Sequence, residues 1–332
     1  MRKPLVQVIG QSGADLVPGW GSSLMSLSFT DNEGGDADEI NMQFSVSTPL
    51  QAAPAKGTQY RLIYGWTGQG LKDAGLFTFQ SAGLTFDAES GWIMTITCRS
   101  ADFVDADKAA DLESFEEATA GQIFKRLAAG VGKNAKVHPS VEAIEIPYRL
   151  RYQQSAVGFA QTLADELGAT LKLANGEWLI TMKNSGETAN GSTLPPITVS
   201  MDEVIDCDLT TEGRPEFGEV QSSWFDEGLG ISFLEAVPGL GQAARFLGLH
   251  PAPSASEARQ RSRAEALDLA RATVSGGITI EGRPEAMAGA PVILSGFGGW
   301  AGFELVAPTL VHTFTFDESG GWLMSFECAA KT

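Results

Sequence analysis

The sequence predicts a mainly β protein with an α+β insertion, made of two similar β-barrel domains and a small α/β domain. Three observations lead to this prediction. Short alternating runs separated by Gly, Pro, Asp or Asn fill the first hundred residues and return from residue 197. Helical periodicity lies between these two regions. The hairpin sequence FDAESGWIMTITC (86–98) returns as FDESGGWLMSFEC (316–328), which indicates an internal duplication.

Residues 1–100 are assigned to a first β-barrel domain. Its alternating runs include PLVQVIG, SLMSLSFTD, INMQFSV, YRLIYGW, LFTFQSAGLTFD and WIMTITC. The acidic stretch DNEGGDADE (31–39) separates two of these runs. We interpret it as a solvated turn, with loose binding of a hard cation as the alternative.

Residues 101–196 are assigned to a small α/β domain. Apolar residues recur at helical spacing in SFEEATAGQIFKRLAAGVG and again in QQSAVGFAQTLADELGA, and glycines follow both runs. Asn175-Gly176 lies between two alternating runs, which predicts a tight hairpin. The stretch NSGETANGSTLPP (184–196) has the composition of a linker.

Residues 197–332 are assigned to a second β region that ends in a barrel repeating the first. A helix is predicted at 254–274. Ser254 and Glu257 match a capping box, and Gly276-Gly277 is predicted to end the helix. The Gly-, Ala- and Pro-rich stretch 236–254 is interpreted as a loop or a partner-docking insertion.

The repeated hairpin supplies the candidate functional positions. Each copy is predicted to form strand, Gly-containing loop, strand, tight acidic turn and strand, and Cys98 aligns with Cys328 at the same offset as the other pairs. The alternative is two unrelated hairpins that share turn chemistry. The ten positions are Phe86, Asp87, Gly91, Trp92 and Met94, which align with Phe316, Asp317, Gly321, Trp322 and Met324.

Composition and charge exclude several classes of protein. The net charge of −18 and the pI of about 4.5 argue against a basic surface for nucleic acid or anionic lipid. No apolar run is long enough to predict a membrane-spanning helix, and the N-terminal residues fit a first strand better than a signal peptide. Three cysteines do not make a disulfide framework, so we expect synthesis in the cytosol.

No catalytic constellation, metal site or cofactor site is predicted. His138, His250 and His312 lack a second ligand at metal-binding spacing. Two G-x-G-x-x-A matches, at 239–244 and 296–301, do not lie in a βαβ unit and therefore lack the helix N-terminus that binds a pyrophosphate. Cys98 and Cys328 are expected to be small buried side chains in strands.

Two other functions stay open at this point. Asp206 and Asp208 alternate on one strand face, and a carboxylate pair is what a glycan hydrolase needs. The seven tryptophans would suit a carbohydrate-binding module if they were exposed and coplanar. Because they are scattered through the β elements, packing in the core is the preferred interpretation.

Several segments resemble phage tail-hub proteins of the late-control gene D family. The stretch RLRYQQSAVGFAQTLADELGATLKLANGEWLITM (149–182) is similar to the central segment of that family, and the closing strands 282–328 are similar to its last segment, with His312 at the family's His position. The resemblance covers residues 145–330 well and the N-terminal third by architecture only. The matching central positions are Ser155, Phe159, Leu163, Ala164, Gly168, Ala169, Gly176 and Leu179.

This resemblance implies a structural role in the virion, at the tail baseplate, for a protein made in the bacterial host cytoplasm. It implies a homotrimer whose six barrels form a ring between the sixfold tail tube and a threefold central spike. The implied partners are the spike protein, the tube protein and the tape-measure protein, while DNA passes through an acidic lumen without specific binding. Because the sequence ends at Thr332, directly after the last strand, we expect a partner to supply any piercing or lytic activity.

Overall fold

The computed structural model describes residues 2–47, 52–88, 91–100, 111–211, 217–239, 244–248, 251–271, 274–316 and 320–331. The protein is mainly β with a few helices, which confirms the prediction of a mainly β protein. Three groups of elements follow one another along the chain, and each has its own buried core.

The first strand set comprises the strands of the N-terminal region. These strands lie side by side in the order β1-β4-β5-β6-β3-β2, and every neighbouring pair is antiparallel. Their alternating apolar residues point to one side and form a single core. The elements are β1 (Pro4–Ile9), α1 (Val17–Trp20), β2 (Leu24–Asn32), β3 (Glu39–Val46), β4 (Gln59–Trp66), β5 (Lys72–Asp87) and β6 (Gly91–Arg99).

A small α/β unit follows. Its sheet has the order β10-β11-β8, and a separate two-stranded ribbon pairs β7 with β9. The predicted Asn175-Gly176 hairpin is confirmed, because both residues have positive φ and join β10 to β11. The elements are β7 (Asp111–Thr119), α2 (Ala120–Gly130), β8 (Asn134–Val137), α3 (Pro139–Glu142), β9 (Glu145–Gln154), α4 (Ala156–Glu166), β10 (Ala169–Ala174) and β11 (Glu177–Met182).

Side-chain caps begin both long helices of this unit. The Thr119 side chain accepts a hydrogen bond from the Gln122 amide, and the Gln122 side chain accepts one from the Thr119 amide, which completes a capping box. Ser155 accepts a hydrogen bond from the Gly158 amide and caps α4. The apolar faces of both helices are buried in the core of the unit, as the helical spacing predicts.

The remaining strands form the second strand set and an inserted sheet. The second set contains β12, β13 and β17–β22, while the inserted sheet has the order β15-β14-β16 and packs against α5. The elements are β12 (Ile197–Ser200), β13 (Asp206–Thr211), β14 (Phe217–Asp226), β15 (Ile231–Pro238), β16 (Ala244–Leu247), α5 (Ala255–Arg271), β17 (Val274–Glu281), β18 (Ala290–Ser295), β19 (Leu305–Ala307), β20 (Thr309–Thr315), β21 (Trp322–Glu327) and β22 (Ala329–Ala330).

One ten-stranded sheet runs through both strand sets. It continues from β2 of the first set into β20 and then through β21, β17 and β13. The β2–β20 pairing is antiparallel and extends from Ser26 opposite Thr315 to Asn32 opposite Thr309. The two ends of the chain are therefore held together by a backbone ladder.

One sequence-based prediction about the second region is wrong. Gly276 and Gly277 do not end the helix, which stops at Arg271, but lie inside β17. Gly276 has φ +132°, and a Cβ there would lie 1.8 Å from the Asp208 carbonyl oxygen, so close strand approach requires this glycine. The expected linker 184–196 is packed into the structure, because Asn184 and Leu194 are buried.

A buried ion cluster joins the α/β unit to the first strand set. The Lys172 ammonium on β10 contacts the Asp31 carboxylate, lies 3.0 Å from Asp38 Oδ1, and donates to the Asn32 carbonyl at 2.7 Å. Asp31 also accepts a hydrogen bond from the Ala288 amide of the second region at 2.8 Å. The acidic stretch 31–39 therefore fastens three parts of the chain together.

Burial and ion pairing oppose each other in this cluster. Burial favours the neutral form of Asp31, but the Lys172 charge and its hydrogen bond hold the pKa of that carboxyl below its usual range. Burial raises the pKa of Asp38 to about 6, against the attraction of Lys172. The expected solvated turn holds only for the middle of the stretch, where Gly35 and Asp36 are exposed.

We expect Lys172→Met to lower the free energy of unfolding by about 3–5 kcal/mol, because it leaves two buried carboxylates without their cation. Lys136→Met is the matched control in the same unit. Lys136 pairs with Glu177 at the surface, so its loss should cost less than about 1 kcal/mol. Urea unfolding of both variants measures the difference, and equal losses would contradict a structural role for the cluster.

Candidate functional site

The first copy of the repeated hairpin is exposed at its tip. Phe86 on β5 is 62% exposed, and its ring centroid lies 5.0 Å from that of the half-buried Trp92 on β6. Asp87 lies opposite Gly91, whose φ of +74° favours glycine. Met94 points inward and is buried. The exposed Phe86 ring at the end of this hairpin is available for contact with another molecule.

The second copy is buried against the first strand set. Trp322 is 1% exposed, and its ring contacts the rings of Tyr64, Trp66 and Phe314 at centroid distances of 4.9–5.5 Å. Met324 is fully buried. The amide of Phe316 donates to the Met25 carbonyl at 3.0 Å, and the half-buried ring packs against the first core.

The turn of the second copy is described only in part. Asp317 lies outside the described residues. Gly321 donates its amide to Thr315 Oγ1 at 3.0 Å. The structure therefore brings the two copies into one sheet but places them in different surroundings, one exposed and one in a core.

The strand pairing of the two copies also differs by two residues. Trp92 lies opposite Phe86, whereas the aligned Trp322 lies opposite Phe314 and not opposite Phe316. Because side chains alternate with a period of two along a strand, a two-residue shift keeps every side chain on its original face. The two copies therefore point corresponding residues inward although their registers differ.

His312 lies at the centre of the aromatic cluster between the two strand sets. Its Nδ1 accepts a hydrogen bond from Trp322 Nε1 at 3.2 Å, and the Phe29 ring stacks parallel to it. Burial lowers the pKa of His312 to about 4, although the Asp31 charge favours the protonated form. The imidazole is therefore neutral and packed in the core.

The residues singled out for other chemistry do not form a site. Asp206 and Asp208 are exposed on β13, at the edge of the ten-stranded sheet. All seven tryptophans are buried or half-buried. His138 caps α3 and its Nε2 lies 2.9 Å from Glu187. Residues 296–301 lead through a short 3-10 turn into β19, without a long helix. His250 and residues 240–243 lie outside the described residues.

The described residues show no group of three His, Cys, Asp or Glu side chains placed to hold a metal ion. No helix in the described part is long and apolar enough to cross a membrane. Cys98 and Cys328 are buried, and burial raises the pKa of each thiol to about 12. Cys207, on β13, is exposed.

Two exposed apolar surfaces were missed by the sequence analysis. The outer face of the β7–β9 ribbon carries Leu112 opposite Tyr152, with Leu150 and Tyr148 beside them. The outer face of the inserted sheet carries exposed Phe225, Leu234 and Leu247, and the described residues show nothing covering it. The sequence signal for these surfaces was the presence of apolar residues on both faces of the strands. A strand with one solvated face has apolar and polar residues in alternation.

The described fold is similar to the folds of solved phage and prophage tail proteins. The 43 kDa tail protein of prophage MuSo2 from Shewanella oneidensis matches 99% of this chain and 98% of its own, with a TM-score of 0.72 and 13% identity. A type VI secretion system component from E. coli matches 99% of this chain and 77% of its own, with a TM-score of 0.54 and 8% identity.

Sequence comparison finds two relatives that are named as probable baseplate hub proteins, and they confirm the resemblance to tail-hub proteins. The chain is 28% identical over 210 residues to the probable baseplate hub protein of Escherichia phage 186, which covers 63% of this chain and 53% of that protein. For the probable baseplate hub protein of Escherichia phage P2 the identity is 27% over 201 residues, covering 60% of this chain and 51% of that protein.

The chain thus spans about half the length of the curated relatives it matches. No family model matches it. The relatives are named as hub proteins, and the matches indicate no enzyme family.

We expect the two aligned tryptophans to differ in their contribution to stability. Trp322→Ala should cost about 3–5 kcal/mol, because it empties a buried aromatic site. Trp92→Ala is the matched control and should cost roughly 1–2 kcal/mol, because Trp92 is only half-buried. Denaturant unfolding measures both values, and equal losses would contradict the difference in surroundings described above.

We expect His312 to make the folded state sensitive to acid. The imidazole stays neutral in the folded chain down to about pH 4, whereas it takes up a proton below its ordinary pKa of 6.5 when the chain unfolds. Stability is therefore lost as the pH falls from 6.5 towards 4. By pH 5 this loss amounts to about 2 kcal/mol.

His312→Asn should remove this part of the pH dependence. The measurement is the free energy of unfolding of the original protein and of the variant, each at pH 7.5 and at pH 5. Asp38 makes an opposing contribution to the pH dependence of stability, but it is present in both proteins and cancels in the comparison. A variant that loses as much stability between the two pH values as the original protein would show that His312 is not the titrating group.

Proposed function

We propose that this chain is a baseplate hub subunit of a phage-type tail, located in the virion at the tail baseplate. The observation that carries the proposal is agreement between two independent comparisons. Two proteins named as probable baseplate hub proteins match in sequence, and a prophage tail protein matches in fold over nearly the whole chain. The described residues offer no catalytic arrangement that favours the hydrolase alternative.

We further propose that three copies form a ring that joins the tail tube to a central spike, with the tape-measure protein as an additional partner. The two strand sets of each chain would be the two tube-docking barrels, so that three chains supply six similar units. Two features support this: the hairpin sequence occurs twice, and the strands around both copies follow the same order in the sheets. A ring of this kind matches sixfold symmetry on one side and threefold symmetry on the other.

The domain limits fit this proposal as first assigned: a barrel at 1–100, an α/β domain at 101–196 and a second β region at 197–332. The net charge of −18 supports a lumen that repels DNA and lets it pass without specific binding. The tryptophan side chains are buried or half-buried, which weakens the carbohydrate-binding alternative, since stacking on a sugar needs an exposed ring face.

We expect light scattering over a concentration series to give a particle of three times the 35.1 kDa chain mass. The trimer should form alone at high concentration or on addition of the neighbouring spike protein, because a partner that binds only the ring shifts the equilibrium towards it. A monomer at every concentration, with and without the spike protein, would overturn the proposed ring.

A further inference from the structure

The two strand sets have the same internal order. In the first set the order is β4-β5-β6-β3-β2. In the second set β18 takes the place of β4, and β19 together with β20 takes the place of β5. The strands β21, β17 and β13 then follow in the places of β6, β3 and β2, and every pairing is antiparallel. Pro308 divides the counterpart of β5 into β19 and β20. The outermost strands differ, because β1 runs antiparallel to β4 whereas β12 runs parallel to β18.

Within one chain the two sets meet through β2 and β20. Leu27 lies opposite Phe314 and Phe29 lies opposite His312, and all four side chains are buried. This contact uses the last strand of the first set and the middle strand of the second set. It is therefore a head-to-tail contact between two similar units.

The equivalent edges on the outer sides of the two sets are unpaired among the described residues. The counterpart of β2 in the second set is β13, which ends the ten-stranded sheet. The counterpart of β20 in the first set is the second half of β5, whose residues 81–86 pair with β6 on one side only among the described residues. Residues 80–87 of β5 are all exposed, and β13 is exposed at every residue except the half-buried Leu209.

We propose that β13 of one copy pairs antiparallel with residues 80–85 of β5 in the next copy, which repeats between chains the β2–β20 contact within the chain. The inference rests on the proposed ring and names the contact that would close it. Each chain carries one edge of each kind, so three copies would make three contacts within chains and three between chains.

The side-chain faces of the two edges match. Cys207 lies opposite the buried Ile278, which places Cys207 and Leu209 on the inner face of the sheet. Leu84 lies opposite the buried Met94, so it points to that same inner face together with Phe86. Pairing the edges brings apolar side chains together on the inner face. The polar side chains Asp206, Asp208, Thr210 and Thr85 fall on the outer face.

Electrostatics selects the register. The register of the proposed contact depends on how β5 is aligned with its counterpart β20. Alignment of the two hairpin sequences and alignment of their cross-strand partners differ by two residues. Superposition by strand pairing sets Asp206 directly opposite Asp87, which is unfavourable because like charges at directly opposed positions repel. Superposition by sequence sets Asp206 opposite Thr85, Cys207 opposite Leu84 and Leu209 opposite Ala82, and we adopt this register.

The native Cys207 allows a direct test by disulfide cross-linking. In the adopted register Leu84→Cys places a second thiol opposite Cys207 of the next copy, close to the separation that a disulfide spans. Cys98 and Cys328 are buried and do not compete. Because burial and the neighbouring Asp206 and Asp208 raise the pKa of the Cys207 thiol, oxidation with diamide is done at about pH 8.5.

We expect the oxidised Leu84→Cys protein to run as covalent dimers and trimers on a non-reducing gel and as single chains after reduction. Thr85→Cys, one residue away on the outer face, is the matched control and should give at least tenfold less product. Leu84→Cys combined with Cys207→Ser should give none. A cross-link from Phe86→Cys in place of Leu84→Cys also supports the pairing, in the register shifted by two residues.

Light scattering on the same samples separates the two proposals. A trimer that forms no cross-link from either Leu84→Cys or Phe86→Cys overturns the strand pairing and leaves the proposed hub standing. A protein that stays monomeric at the highest concentration, with and without the spike protein, and forms no cross-link overturns both the pairing and the ring.

Discussion

The arrangement of this chain depends on the Lys172 ammonium held between the Asp31 and Asp38 carboxylates. Transfer of such charges out of water is costly, and only their mutual pairing and added hydrogen bonds offset that cost. The acidic stretch that carries both carboxylates also binds the second region, through the Ala288 amide and through the Pro308 carbonyl, which accepts from the Glu33 amide. One cation and one loop thus contact all three units, in addition to the β2–β20 backbone ladder that joins the two strand sets.

The duplicated hairpin shows that the same sequence can have two physical roles. Trp322 is a core residue because β20 is covered by β2 and the first strand set, whereas Trp92 is half-buried because the matching side of β5 is open among the described residues. The inward-facing pattern is the same in both copies, since it depends on the period of the strand. The degree of burial differs because it depends on what lies beside the strand.

Local patterns predicted the local structure well. The helices α2 and α4 and the Asn175-Gly176 turn follow from spacing and turn chemistry alone. Contacts between distant parts of the chain were not predictable in this way: Lys172 and Asp31 are 141 residues apart, and no periodicity relates them. Gly276-Gly277 was misread as a helix end because a glycine needed for close strand approach looks the same in sequence as a glycine that stops a helix.

The edge charges of β13 argue for head-to-tail assembly over a twofold dimer. A symmetric β13–β13 pairing centred on Cys207 would set Asp206 of each copy opposite Asp208 of the other, and such like-charge pairs are destabilising. Pairing with β5 sets Asp206 opposite Thr85 and Asp208 opposite Gly83, where no carboxylate lies. Charged residues on an exposed edge commonly prevent unwanted strand pairing. Here the same two carboxylates disfavour self-pairing centred on Cys207. The heterologous contact with β5, which is the kind of contact that can close a ring, brings no carboxylates together.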